Sequence, residues 1–303
     1  IWDLPYTRSP HPKYHKKPPI PAWEMIKFSV NIHRGCFGGC SFCAINMHQG
    51  KFVQSRSQQS VLAELQQIAA MPDFKGHISD LGGPSANMYK MGGLDIEKCR
   101  RCKRPSCIFP AICNNLNFDH HALLELYEKA EKIKGIKKVT IGSGVRYDML
   151  IGKTSEQNKR FGLQPYIRKL LTNHVSGRLK VAPEHTSNEV LDLMRKPSFH
   201  QFEEFQRIFQ DICQKDSLPW QLVPYFISGH PGTREQDMKS LSEKLKKLHC
   251  RPEQVQEFTP TPMTLATTIY YTGINPYTGK NIFVARDDKQ KRRQKDFFFK
   301  KRG

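Results

Sequence analysis

What this 303-residue chain lacks narrows its class first. No apolar run approaches the about 20 residues that cross a bilayer, and the first residues hold no signal-peptide core, so neither membrane nor export is expected. Acidic residues are scarce beside basic ones, 28 against 48, which leaves a formal charge of +20. Such a surface favours polyanions, nucleic acid foremost, through phosphate attraction and counterion release; the plain alternatives are a basic surface with no dedicated partner and an acidic partner domain outside this sequence. An even cysteine count is missing too. Nine cysteines in a chain with no export signal fit a disulfide framework poorly and suit a reducing, cytoplasmic compartment where thiols bind metals. An initiating methionine is absent: Ile1-Trp2-Asp3-Leu4-Pro5 reads as mid-protein sequence, so a preceding segment is expected. No internal repeat is evident. A hydrophobic share of 38% and an aromatic share of 10% are enough to build one large domain with appendages.

The most informative stretch is Cys36-Phe37-Gly38-Gly39-Cys40-Ser41-Phe42-Cys43. Three thiolates spaced x3 then x2 can wrap one [4Fe–4S] cluster, which normally takes four cysteine ligands. The loop has no fourth, so one iron would stay open to a ligand that is not protein. A zinc knuckle or a disulfide set is the competing reading. The two glycines, and Phe42 just before the last cysteine, suit a compact loop around something larger than a single ion.

Along the chain, residues 1–24 carry six prolines among lysines and read as an extended linker unable to form helix or central strand. Residues 25–272 alternate between strand and helix patterns. Phe28, Val30 and Ile32 mark a strand running into the cysteine loop, and further strands are expected over 77–81, 138–141, 178–181, 222–227 and 255–258. Glycine, proline and polar residues cluster after these strands, at Gly82-Gly83-Pro84, Gly142-Ser143-Gly144, Ala182-Pro183-Glu184-His185 and Ser228-Gly229-His230-Pro231-Gly232. Six such units predict an α/β fold with parallel strands inside and helices outside, and the active site at the carboxyl ends of the strands.

With its cysteine loop at the first strand's exit and glycine-rich turns at later ones, the chain resembles the radical S-adenosylmethionine (SAM) proteins. More narrowly it resembles the uncharacterised YgiQ-type family. The residues carrying this are Asn31-Ile32-His33-Arg34-Gly35-Cys36 with the loop, Asp80-Leu81-Gly82-Gly83-Pro84, Cys99 to Cys113, and Val181-Ala182-Pro183-Glu184-His185. The resemblance implies a partial (β/α)6 TIM-like barrel whose Cys36, Cys40 and Cys43 hold a [4Fe–4S] cluster. It implies an enzyme that cleaves SAM reductively to a 5′-deoxyadenosyl radical acting on an unknown substrate. A one-electron reductant such as flavodoxin or ferredoxin is implied as partner. By similarity to the methylthiotransferase-like branch, Gly82 and Gly83 would offer backbone carbonyls to the SAM amino group, although Pro84 replaces the branch's usual acidic residue. Glu184 and His185 would contact the SAM sugar and carboxylate, and Gly229 and His230 would lie near the adenine. Ser143 and Arg146 either bind carboxylate or cap and pair locally, and Phe42 packs on the adenine or the cluster, or simply in the core.

A second set, Cys99-x2-Cys102-x4-Cys107-x5-Cys113, lies in an insertion over residues 94–117, among Lys98, Arg100, Arg101, Lys103 and Arg104. Cationic neighbours favour thiolates, and four soft ligands in so short a loop read as zinc or a second iron–sulfur cluster, their sulfurs converging on one point. Cys213 and Cys250 read as isolated thiols packed on helices. Residues 273–303 form a basic extension whose charge run predicts poor packing, with Phe297, Phe298 and Phe299 pulling the other way. Two other functions fit less of the chain. One is an RNA-modifying enzyme of methylthiotransferase type. The other is a non-catalytic nucleic-acid-binding module stabilised by metal, which would not need the glycine turns at the strand ends.

Overall fold

A computed structural model describes residues 1–250 and 252–299. Among these residues the chain forms β1 (Ser29–Asn31), β2 (His33–Arg34), β3 (Gln54–Ser55), β4 (His77–Ile78), β5 (Asp80–Gly82) and β6 (Gly92–Gly93). It continues with β7 (Leu116–Asn117), β8 (Lys138–Val139), β9 (Arg178–Glu184), β10 (Gln221–Ser228) and β11 (Val255–Glu257). Every pairing between strands that alternate with helices is parallel: β1 with β5, β4 with β8, and β9 with β10 with β11. Two short antiparallel pairs are additions. β2–β3 ties the cysteine loop's entry to its exit, and β6–β7 forms the neck of the insertion.

The parallel strands fall into two blocks rather than one unbroken sheet. Leu81 N–H donates to Thr140 O at 3.1 Å and Ile32 N–H to Gly82 O at 2.8 Å, which joins β1, β4–β5 and β8. Beyond β8 the Ile141 N–H turns to the His174 carbonyl at 2.9 Å, and the His174 ring bonds Val139 O at 2.9 Å. The π-wound segment Leu170–His174 thus occupies the edge where β9 was expected. No ladder joins β8 to β9, or β11 to β1, among the described residues. A backbone edge satisfied by a neighbouring turn has no need of another strand.

Helices cover the strands by burying one stripe each. Ser57 caps Gln58–Ala69 by accepting from Ser60 N–H, and Val61, Leu65 and Ile68 face inward at helical spacing. Phe199–Lys215 buries Phe199, Phe202, Phe205 and Phe209, each side chain contributing about 1.5–3 kcal/mol through removal from water. Pro224 sits inside β10 where the register with β9 shifts, a place where a residue without an N–H costs no ladder bond.

Two terminal expectations need correction. Residues 1–24 are not simply an extended linker: Pro21–Ile26 is helical, because proline at the first helical position lacks only an N–H that would be unpaired there. The segment docks on the helix of Gln58–Ala69, with Ser60 Oγ donating to Asp3 at 2.7 Å, Arg8 paired to Glu64, and Arg56 stacked 4.9 Å from the Trp2 ring. At the other end Asp288–Phe299 is a packed helix, not a loose basic tail. Its cations find partners on other elements: Lys291 and Lys295 on Glu257 at 3.7 and 3.1 Å, and Arg293 on Glu235 at 3.4 Å. Gln294 is buried, and Phe297 and Phe298 pack against the core. Residues 300–303 of the expected extension lie outside the described residues.

Candidate functional site

The loop carrying Cys36, Cys40 and Cys43 is a crossing point for four segments. Cys36 N–H donates to Gly50 O at 3.1 Å, Ser41 N–H to Met194 O at 3.0 Å, and Ala266 N–H to Ser41 O at 2.9 Å. Cys107 N–H, from the insertion, donates to Phe37 O at 3.0 Å. Gly39 has φ +61°, and a Cβ there would collide with the Pro105 carbonyl, so glycine is required by both conformation and space. The loop is therefore held by tertiary bonds while its thiols remain partly accessible. Burial pushes the Cys36 and Cys43 thiols up as free thiols, with the other cysteines of the loop adding to the shift.

Arg146 reaches this loop. Its guanidinium grips Asp148 through both carboxylate oxygens, at 2.9 and 2.6 Å, and turns Nη1 to Cys40 Sγ at 3.4 Å. Both partners are buried. Burial opposes each charge, but the Asp148 carboxylate together with Cys40 and Cys36 holds Arg146 above its ordinary pKa, while Arg146, with Lys196, holds Asp148 below the usual carboxylate range. Asn87 fixes the Arg146 backbone, accepting its N–H at 2.8 Å and donating to its carbonyl at 3.1 Å. Of the two readings open for Arg146, local pairing is what these bonds describe, together with a donor aimed at a cysteine sulfur.

The Gly82-Gly83 turn has a packing reason. A Cβ on Gly83 would sit 2.5–2.9 Å from the His33 ring, so the turn lies flat on a buried imidazole that burial holds neutral, its pKa lowered to about 4. The Gly82 carbonyl accepts from Ile32 within the sheet, which leaves Gly83 as the carbonyl outside the ladder. Ser143 is engaged by Asp80: its hydroxyl donates to one carboxylate oxygen at 2.5 Å and its N–H to the other at 3.1 Å. Asp80 also accepts from Gly142 N–H at 2.9 Å, so this carboxylate holds the turn after β8.

Glu184 ends β9 with φ +68°, a left-handed conformation that costs a non-glycine residue about 1–2 kcal/mol. Burial raises its pKa, opposed by Lys196, whose Nζ stands 3.5 Å away. Glu184 lines a cavity of about 400 Å³ with Phe42, Cys43, Phe258 and Thr259, bringing the cysteine loop and the ends of β9, β10 and β11 together. Behind Phe42 lies His230, edge-on with ring centroids 5.9 Å apart. Burial lowers His185 to about 3 and His230 to about 4, so both are neutral at pH 7, and the Nε2 of each has no hydrogen-bond partner in the protein. Gly229 is capped: its N–H donates to Gln294 Oε1 at 2.7 Å, and Gln294 Nε2 donates to Thr233 O at 2.9 Å. Asp148, Lys196 and Gln294 were missed in the sequence, and Asp80 was named there only as part of its motif, with no role. Only Lys196 had a local signal, being near the segment that follows Glu184.

Three sulfurs, a guanidinium donor on one of them, and Gly38 N–H 3.4 Å from Cys36 Sγ make a donor set that suits an iron–sulfur cluster, whose potential such bonds tune. The adjoining cavity is in the size range of organic-cofactor sites, about 300–1,000 Å³. A larger cavity of about 970 Å³ lies between the insertion and Asp148, Lys153 and Arg160.

The insertion corrects one expectation. Among the described residues no three Cys, His, Asp or Glu side chains stand close enough to hold a single metal ion, so the sulfurs of Cys99, Cys102, Cys107 and Cys113 do not converge on a point. They line a common cavity of about 220 Å³ instead. Cys107 is drawn inward by its bond to Phe37, whereas Cys102 is exposed, which spreads the four around a space. Cys213 and Cys250 are buried singly, the first on its helix and the second just past the helix Glu235–Lys247.

Comparison with known proteins gives a match to the Radical SAM superfamily over residues 30–245 and to a domain of unknown function, DUF3362, over residues 253–301. A UPF0313 protein of Bacteroides thetaiotaomicron is 57% identical over 98% of this chain and 48% of its own length. One from Porphyromonas gingivalis is 56% identical over 98% of this chain and 47% of its own. UPF0313 corresponds to the YgiQ-type family to which the motifs pointed. The chain spans about half the length of these relatives or less. A solved radical S-adenosylmethionine methyltransferase, TsrM from Kitasatospora setae with cobalamin and a [4Fe–4S] cluster bound, aligns with TM-score 0.46 and 15% identity, over 80% of this chain and 39% of that one. No helix among the described residues is long and apolar enough to cross a membrane.

Proposed function

This chain belongs to the Radical SAM superfamily, and from that membership we propose that it is the catalytic core of an enzyme binding a [4Fe–4S] cluster through Cys36, Cys40 and Cys43. The observation carrying this reading is the clamped loop, with Arg146 Nη1 3.4 Å from Cys40 Sγ and the cavity of Cys43, Phe42 and Glu184 beside it. With SAM bound, such a cluster supplies one-electron cleavage of the sulfonium bond to a 5′-deoxyadenosyl radical. The parallel strands act as staves of an open barrel whose carboxyl ends surround the cluster loop.

Arg146 stabilises thiolate charge at Cys40, and Asp148 keeps its guanidinium in place. The Gly83 carbonyl is free of the sheet and would be the one to accept from the SAM amino group. Glu184 would accept from the ribose hydroxyls of bound SAM, with Lys196 opposing the rise in its pKa that burial causes. His185 and His230, neutral and each with a buried unpartnered Nε2, can accept or donate one hydrogen bond without a change of charge at pH 7. Phe42 excludes water from the wall between cysteine and cofactor. Gly229 and Ser143 act as frame residues, since Gln294 and Asp80 already engage them. The 970 Å³ cavity, bounded by Asp148, is the place for the substrate. A flavodoxin- or ferredoxin-type protein supplies the electron.

The test is anaerobic reconstitution followed by reduction with dithionite in the presence of SAM. Release of 5′-deoxyadenosine by the wild type, and none by the Cys36→Ala, Cys40→Ala, Cys43→Ala triple variant, is the expected result. Equal release from both would sink the reading.

A further inference from the structure

We propose that the insertion holds a second [4Fe–4S] cluster, on Cys99, Cys102, Cys107 and Cys113, in place of a zinc ion. This goes beyond the function proposed above and does not depend on it.

The argument starts from space. A tetrahedral zinc site draws its sulfurs to about 2.3 Å from the ion and encloses no void. Here all four cysteines line one cavity of about 220 Å³, against roughly 10–15 Å³ for a cavity that holds one water. A cubane carries its cysteine sulfurs on separate corner irons, so it needs both a central space and sulfurs set further apart than one ion allows. The Cys36 loop provides an internal comparison. Its three sulfurs also fail to close on a single-ion point, although their sequence spacing suits a cubane.

The lining fits the same guest. Phe37, Phe52, Val53 and Leu116 make the walls apolar. Donors are aimed at the sulfurs: Asn115 Nδ2 lies 3.2 Å from Cys99 Sγ, and Lys51 Nζ 3.8 Å from Cys102 Sγ. Lys51 is itself held by the Arg104 carbonyl at 2.5 Å. Such hydrogen bonds and nearby cations stabilise a cluster of net negative charge and set its potential. The frame is rigid at its base. β6 pairs with β7, Asp95 N–H donates to Asn115 Oδ1 at 2.9 Å, and Asn115 Nδ2 returns to Asp95 O at 2.9 Å.

Position adds a final observation. Phe37, the residue after Cys36, is a wall of this cavity, and its carbonyl accepts the Cys107 N–H at 3.0 Å. Phe37 therefore belongs both to the first loop and to the wall of the second site. Clusters held in both places would couple magnetically when both are reduced.

The experiment counts metal in the anaerobically reconstituted full chain, in the Cys36→Ala, Cys40→Ala, Cys43→Ala variant, and in a variant with Cys99, Cys102, Cys107 and Cys113 all changed to Ala. The proposal expects about eight irons and eight sulfides per wild-type chain and about four in each variant. It also expects a dithionite-reduced wild-type EPR spectrum broader than the sum of the two variants. About four irons with one zinc in the wild type would overturn it, as would a Cys36-set variant that takes up zinc alone or no metal. Should either variant fail to fold, the wild-type iron and zinc counts still decide. Neither readout uses SAM, so failure here leaves the proposed function standing, and loss of SAM cleavage leaves this proposal standing.

Discussion

Two loops of this molecule carry cysteine sets of similar chemistry, and the fold treats them differently. The Cys36–Cys43 loop is pinned by backbone bonds from residues 50, 194, 107 and 266, and a buried ion pair, Arg146–Asp148, stands over one of its sulfurs. The Cys99–Cys113 insertion is fastened mainly at its neck and to Phe37, and it leaves Cys102 and its basic residues toward solvent. Thiol spacing alone does not make a working centre. The first loop has its surroundings fixed by elements distant in sequence, whereas the second brings most of its surroundings within its own short length.

The largest effect that would sharpen this contrast is loss of function. The Cys36→Ala, Cys40→Ala, Cys43→Ala variant should lose all 5′-deoxyadenosine formation, read by chromatography, while keeping its circular dichroism, because tertiary bonds rather than metal hold that loop. Collapse of the fold instead would make metal the organiser of both regions.

Acid should act next, and on the first region. His185 and His230 are buried neutral beside the cysteine loop and His120 beneath Arg146's anchor Asn87, with pKa lowered to about 3, 4 and 3. Folded values below the unfolded 6.5 mean that the unfolded chain binds more protons as pH falls, so this stability is complete above pH 6.5 and is lost below it. Each imidazole accounts for about 2 kcal/mol between pH 6.5 and 5. The denaturant midpoint of the metal-free chain should drop over that window; a flat profile would show that these rings are solvated.

Removing one partner of the buried pair comes third. Arg146→Met should cost about 3–5 kcal/mol, because Asp148 is left charged and unpaired, and should shift the visible spectrum of the reconstituted cluster. Unchanged stability would mean that the pair is wet. Gly83→Ala should cost about 1–3 kcal/mol through collision with His33, read by thermal unfolding. At the small end, Lys98→Ala on the insertion's exposed face should change stability by less than about 0.5 kcal/mol, since its pairing with Asp95 is solvated. A larger loss would mean that the insertion is as tightly built as the first loop.

Much of this contrast was legible in the chain itself. Cysteine spacing marked both loops, and polar clusters after apolar runs located the strand ends at Gly82, Glu184 and Gly229, because those signals are local. The break between β8 and β9 was not legible, since it depends on the Leu170–His174 turn offering the His174 carbonyl to Ile141. Nor was the engagement of Ser143 by Asp80, whose partners are about 60 residues apart and share no pattern. The basic run after Arg286 misled for a simple reason. Summed charge predicts repulsion, but Lys291, Arg293 and Lys295 each face a glutamate on another element. The amino-terminal prolines misled likewise, as one of them starts a helix.

Gln294 has a practical consequence. Its side-chain amide is a two-pronged plug, one prong in the Gly229 turn and the other on Thr233, and it comes from the stretch matched by DUF3362 while both sockets lie in the superfamily match. Anyone shortening the gene at residue 245 to keep only the superfamily match would pull that plug, leaving a buried N–H and a carbonyl without partners at the turn after β10. The two family segments are thus a single unit of expression, and the excised front portion should be sought in inclusion bodies rather than in the soluble fraction.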